Sequence, residues 1–138
     1  MKFLLDNDVF LAAIYAGHEN HRRARKWLDA HKTSGWGIAA ETYLAATRLL
    51  MNPAIMGSGA LPVAEALRAI KTELGGPKPG RIILASRPPD PSLLETATGH
   101  RQIMDIWLVQ IARDSGAKLA TRDAGSLANW PDHTILVR

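Results

Sequence analysis

The chain has 138 residues, with 17 Lys and Arg against 13 Asp and Glu, a formal charge of +4 and a pI near 9.8. That length predicts one domain over residues 1–138, burying roughly two-thirds of its unfolded surface in a single core, and the excess of base suits a polyanionic partner. The absence of cysteine excludes disulfides, thiolate metal sites and cysteine nucleophiles.

Asp6 and Asp8 break the apolar N-terminus too early for a signal peptide, and no apolar run approaches the ~20 residues that span a bilayer. A soluble, cytoplasmic protein with no membrane contact is the expectation. In chain order, "KFLL" reads as a short buried strand that ends at Asp6. "VFLAAIYA" and "HENHRRARKWLDAHK" read as two helices. In the second, Ala24, Trp27 and Leu28 form an apolar stripe and Arg22, Arg23, Arg25 and Lys26 take mostly the wet side. "GWGIA" is a strand that runs into the helix "AETYLAATRLL", which "NP" stops at 52–53.

"PVAEALRAIKTEL" is a helix with Pro62 near its first turn, closed by "GGPKPG". "RIILAS" is a third strand and "SLLETATG" a short helix. "IMDIWLVQIARDSG" is a strong helix ended by Gly116, followed by the strands "KLAT" and "HTILV". Strands alternating with helices predict an α/β fold: a central parallel sheet of four or five strands flanked by helices.

Ligand sites of open α/β sheets lie at the carboxyl ends of the strands, and four acids fall there. Asp6 ends the first strand, Glu41 opens the helix after the second, Asp105 lies in the first turn of the long late helix, and Asp123 follows "KLAT". Three have ordinary uses: Asp6 as a helix cap, Glu41 as a first-turn acid, Asp123 as a turn residue. Asp105 is harder to explain that way. Its neighbours at i+3, i+4 and i+7 are Leu108, Val109 and Ala112, so its face is the apolar one. A carboxylate there needs a cation or several hydrogen bonds. Four acids at one edge repel unless a divalent cation joins them, and oxygen-only ligands suit Mg²⁺ or Mn²⁺.

"LLDNDVFLAAI", "HENHRRARKWLDA", "GWGIAAETYLAATRLLMNP" and "TGHRQIMDIWLVQIARDSGAKLATRD" together resemble the PIN domains, specifically the VapC-type ribonuclease toxins. The likeness covers nearly the whole chain, with a less distinctive middle from about Gly57 to Ser92. It implies a PIN-like domain in which Asp6, Glu41, Asp105 and Asp123 line a Mg²⁺ or Mn²⁺ site and hydrolyse RNA phosphodiesters. It also implies a homodimer and inhibition by a cognate antitoxin. One position departs from the pattern: two residues after its first aspartate the family usually has Asn, Ser or Thr, and this chain has Asp8.

Asp8 opens an alternative. "FLLDNDV" also fits the start of haloacid-dehalogenase-like phosphatases, with Asp6 as nucleophile and Asp8 as general acid. That family resemblance would also require a lysine and a late acidic pair, which "TRDAGSLANWPD" does not supply. A further alternative is a non-catalytic PIN domain that binds RNA or protein. His18 and His21 have metal-ligand spacing, but no third ligand is near and they read as helix-start residues. Arg48, seven residues after Glu41 on the same helix face, is placed to meet the acids or a substrate phosphate, or stands in solvent. The hydroxyl of Thr121 is placed to support the metal. With Asp8, Arg48 and Thr121 form the expected rim of the site. Trp36 and Trp107 are expected in the core. Val9, Phe10, Ile14 and Trp27 carry more apolar surface than a small core needs, an expected interface.

Overall fold

Phe3, Leu4 and Leu5 make the first strand, β1 (Phe3–Leu5), and the period of two sends their side chains to opposite faces of the sheet. Phe3 and Leu5 join one apolar cluster and Leu4 the other. The computed structural model describes residues 1–138. Four more strands lie parallel to β1: β2 (Trp36–Ala39), β3 (Arg81–Ile83), β4 (Lys118–Thr121) and β5 (Thr134–Leu136). The order is β3-β2-β1-β4-β5, with Leu5 opposite Ile38 on one side and Ala120 on the other. The chain winds outward from β1 to β3, then crosses back to place β4 beside β1. The strand order therefore reverses between β1 and β4, the position where open α/β sheets form a crevice.

Helices cover both faces. On one lie α1 (Asn7–Ile14), α2 (His21–His31), α3 (Ala40–Leu50) and α5 (Val63–Leu74), which contribute Phe10, Leu28, Leu50 and Ile70 to the larger cluster. On the other lies α7 (Ile103–Asp114), which packs Ile106, Leu108, Val109 and Ile111 against Leu4, Leu119 and Trp130. The helices α4 (Pro53–Met56), α6 (Pro91–Leu94) and α8 (Ala124–Asn129) are short. Gly116 takes a positive φ of 71° directly after α7, a conformation that lets the chain leave the helix and enter β4. None of the helices is long and apolar enough to cross a membrane.

The sheet has five parallel strands with helices on both sides, as the alternation predicts. Several boundaries differ. α2 begins at His21 rather than His18, because His18 turns back and its Nδ1 accepts the Asn20 N–H at 3.0 Å. β3 stops at Ile83 because its partner β2 ends at Ala39, where α3 begins. The expected interface is corrected: Val9 and Phe10 are fully buried, Trp27 is buried, and Ile14 packs against the same cluster. α1 is enclosed by α2, α3, α5 and the sheet, so its apolar residues are used internally. Arg25 is also not simply wet. It ion-pairs with Glu73 of α5 at 2.6 Å, and Lys32 meets the same carboxylate at 3.1 Å.

Candidate active site

Asp6 follows β1 and caps α1: its side chain accepts the Val9 N–H at 2.9 Å. Its other oxygen accepts the hydroxyl of Thr121, the last residue of β4. Asp123 caps α8 in the same way, accepting from the Gly125 N–H at 3.0 Å and the Ser126 hydroxyl at 2.8 Å. The ordinary use of Asp6 as a cap is thus real, while Asp123 caps a helix rather than serving as a plain turn residue, and neither role competes with a site. Capping fixes each carboxylate at the strand's carboxyl end, and each oxygen keeps lone pairs free. Thr121 is buried and ties the two loops together, since its Oγ1 also accepts the Asp123 N–H at 3.0 Å.

Asp105 comes from the opposite helical layer, in the first turn of α7. Asp6, Asn7, Asp8, Asp105, Leu108, Arg122 and Asp123 line one cleft of about 400 Å³ at the β1–β4 edge. Two larger cavities, of about 580 and 610 Å³, lie beside α5 and touch none of these acids.

The cleft raises the proton affinity of Asp6 and Asp105 first by burial and then by the charges of neighbouring carboxylates. Burial pushes the Asp6 carboxyl up to about 6, and the charges of Asp8 and Asp105 push the same way against the Thr121 and Val9 hydrogen bonds. Burial, then the charge of Asp123, raises Asp105. Arg122 is the one basic residue among those lining the cleft.

Glu41 and Arg48 stand apart from this group. Glu41 opens α3 and accepts a hydrogen bond from the Trp107 indole N–H, outside the cleft lining. Trp107 is half-buried rather than core, because its ring edge turns to this carboxylate; Trp36 is buried as expected. Arg48 is exposed near the far end of α3, seven residues or roughly 10 Å along the helix from Glu41. It forms no ion pair with the acids.

Asp8 is exposed at the cleft's rim and is met by His18 at 3.0 Å. Because the His18 Nδ1 accepts from Asn20, its Nε2 carries the hydrogen and donates it to Asp8. His21 instead faces the Ala12 carbonyl at 2.7 Å, so the two histidines do not converge on a common metal site. Asn7 accepts the Thr42 hydroxyl at 2.6 Å, which joins the start of α1 to the start of α3. Asn7, Arg122, Trp107 and His18 carry no periodic signal that marks them as site residues. Arg122 alone had a local cue, its place inside "TRD".

The side chains do not form a ready-made cage of three or more His, Cys, Asp or Glu ligands. The donor set nevertheless fits a hard divalent cation. The carboxylates of the cleft resist sharing their charge, and Asp105 has burial and a like charge acting on it and no hydrogen bond to stabilise it.

A parallel sheet in this order, with acids after β1 and β4 and from α7 lining its crevice, is consistent with a PIN-like domain. No family model matches the chain. Curated relatives do: it is 33% identical over 128 residues to Ribonuclease VapC38 of Mycobacterium tuberculosis, covering 88% of this chain and 85% of that protein. It is 30% identical over 139 residues to Ribonuclease VapC29 of the same species, covering 99% and 97%. A third relative, Ribonuclease VapC41, is 27% identical over 128 residues, covering 87% and 88%. The chain belongs to the VapC family of PIN-domain ribonucleases. The phosphatase alternative falls with this assignment, and no lysine lines the cleft to serve it.

Proposed function

We infer that this protein is a Mg²⁺- or Mn²⁺-dependent endoribonuclease, the toxin of a toxin–antitoxin pair, acting in the cytoplasm and restrained by a cognate antitoxin. The observation that carries this is the meeting of Asp6, Asp105 and Asp123, from three elements, in one cleft at the carboxyl edge of the sheet. A divalent ion held by these carboxylates would activate water and offset charge on the scissile phosphate.

The remaining work falls to the chain itself. Thr121 orients Asp6 by donating its hydroxyl, and α1 holds the other Asp6 oxygen through the Val9 N–H. Leu108 is the one apolar residue of the cleft lining. Asp105, which no hydrogen bond ties down, is free to turn toward the ion or the attacking water. Glu41, which the resemblance assigns to the site, stays outside the cleft lining, its orientation held by Trp107.

A homodimer completes the proposal. Its surface is the exposed apolar face of α3, α5 and the edge strand β3, where Leu44, Leu67 and Ile82 stand out beside Tyr43. Sedimentation should give a dimer that Leu44→Arg converts to monomer.

The direct test compares Asp6→Asn, Asp105→Asn and Asp123→Asn with the parent on single-stranded RNA in Mg²⁺. Each should cut at least about 100-fold more slowly, the loss of a few kcal/mol of metal-borne stabilisation. Undiminished cleavage by the Asp6 variant would overturn the assignment.

A further inference from the structure

We propose that Arg122 is a substrate-positioning residue that takes a backbone phosphate of single-stranded RNA into the acidic cleft. The inference rests on the ribonuclease reading and adds a residue to it. Arg122 lies between two anchored neighbours. Thr121 bonds Asp6, and Asp123 bonds both Thr121 and the first turn of α8, so the backbone that carries Arg122 is fixed on both sides. Its half-exposed side chain lines the cleft beside Asp6, Asp8, Asp105 and Asp123.

An arginine serving as a structural counter-charge would be paired. Arg25 is, at 2.6 Å from Glu73, and so is Arg87, at 2.7 Å from Asp114. Arg122 forms no ion pair and no hydrogen bond with any cleft carboxylate, so its donors are uncommitted. Beside Asn7 and Leu108 the cleft is lined by four acids, and Arg122 is the one side chain of the lining that attracts a polyanion. A phosphodiester presents two anionic oxygens, and the planar fork of arginine matches them in pairs. Lysine in its place would keep the charge and lose the paired geometry.

The test uses the full-length protein, a fluorescent single-stranded RNA oligonucleotide and four readouts: cleavage kinetics in Mn²⁺, RNA binding across a KCl series, Mn²⁺ binding to the protein alone, and the melting temperature. Arg122→Gln should raise KM about 10-fold or more, the cost of one charged hydrogen-bonding contact. It should also flatten the log–log salt slope of RNA binding by about 0.7, one phosphate contact on a single strand. Arg122→Lys should keep the slope and recover part of the KM. Mn²⁺ affinity should not fall in either variant. If wild type cleaves RNA and Arg122→Gln leaves both KM and salt slope unchanged, the proposal fails and the ribonuclease reading stands. An unchanged slope with a lowered melting temperature assigns Arg122 a structural counter-charge role and also overturns it. A wild-type protein that neither binds nor cuts RNA ends both.

Discussion

The hydroxyl of Thr121, at the end of β4, donates a hydrogen bond to the carboxylate of Asp6, at the end of β1, across 115 residues of sequence. The bond joins the two strands at the point where the sheet order reverses, and it lowers the proton affinity that burial raises in Asp6. Thr121→Val should therefore reduce RNA cleavage and destabilise the protein by about 1–2 kcal/mol, since a buried acceptor loses its donor. Thr121→Ser should restore most of both. Denaturant melts and cleavage rates of the two variants check this; equal behaviour of Val and Ser would show that the hydroxyl does nothing.

Asp6 makes the metal-free protein sensitive to pH. Its folded-state value of about 6 lies above the ordinary 3.8, so between these pH values the folded state holds more protons than the unfolded chain. The resulting stabilisation is complete below the lower value and is lost as pH rises through the upper one, at most about 3 kcal/mol. In EDTA, the wild type should melt lower at pH 7.5 than Asp6→Asn, and the gap should close by pH 4. A constant gap across that range would contradict the account of Asp6 as a carboxylate made costly by burial and neighbouring charge.

Asp105→Asn should keep or raise the melting temperature in chelator while removing activity, because the Asp105 carboxylate carries a burial cost, then repulsion from Asp123, and has no hydrogen bond. A large loss of stability would instead make Asp105 a structural anchor.

Asp8 stands at the rim, held by His18 at 3.0 Å. As the proton donor of a phosphatase, Asp8→Asn would cost about 10²–10⁴ in rate. As a rim residue of a ribonuclease it should leave RNA cleavage largely intact, since Asn still accepts the His18 hydrogen bond. Parallel assays on RNA and on a small phosphomonoester separate the two outcomes.

Much of this architecture follows from local pattern. The apolar triplet before Asp6, the strand "KLAT" before Asp123 and the apolar face around Asp105 each place an acid at a strand end or a helix start, and the five-stranded parallel sheet brings those ends together. Glu41 shows where local pattern stops. Its place in α3 is periodic, but its indole partner Trp107 lies 66 residues away and depends on how two helices meet across the sheet. The same holds for Asn7 and Thr42, 35 residues apart. α8 carries little signal in sequence because Gly125, Ser126 and Asn129 are weak helix formers, and it is the Asp123 cap that starts it. The apolar residues of α1 looked surplus in sequence because burial depends on how many elements surround a helix, and α1 is enclosed on all sides but its ends.

The central claim is that carboxylates of one cleft act on RNA through a divalent cation. Cleavage of single-stranded RNA by the purified protein in excess EDTA, and again after Mn²⁺ or Mg²⁺ is restored, tests it most directly. The account predicts no cleavage in chelator and recovery on adding either ion, with Asp6→Asn inactive throughout. Cleavage that persists undiminished in excess EDTA would contradict it.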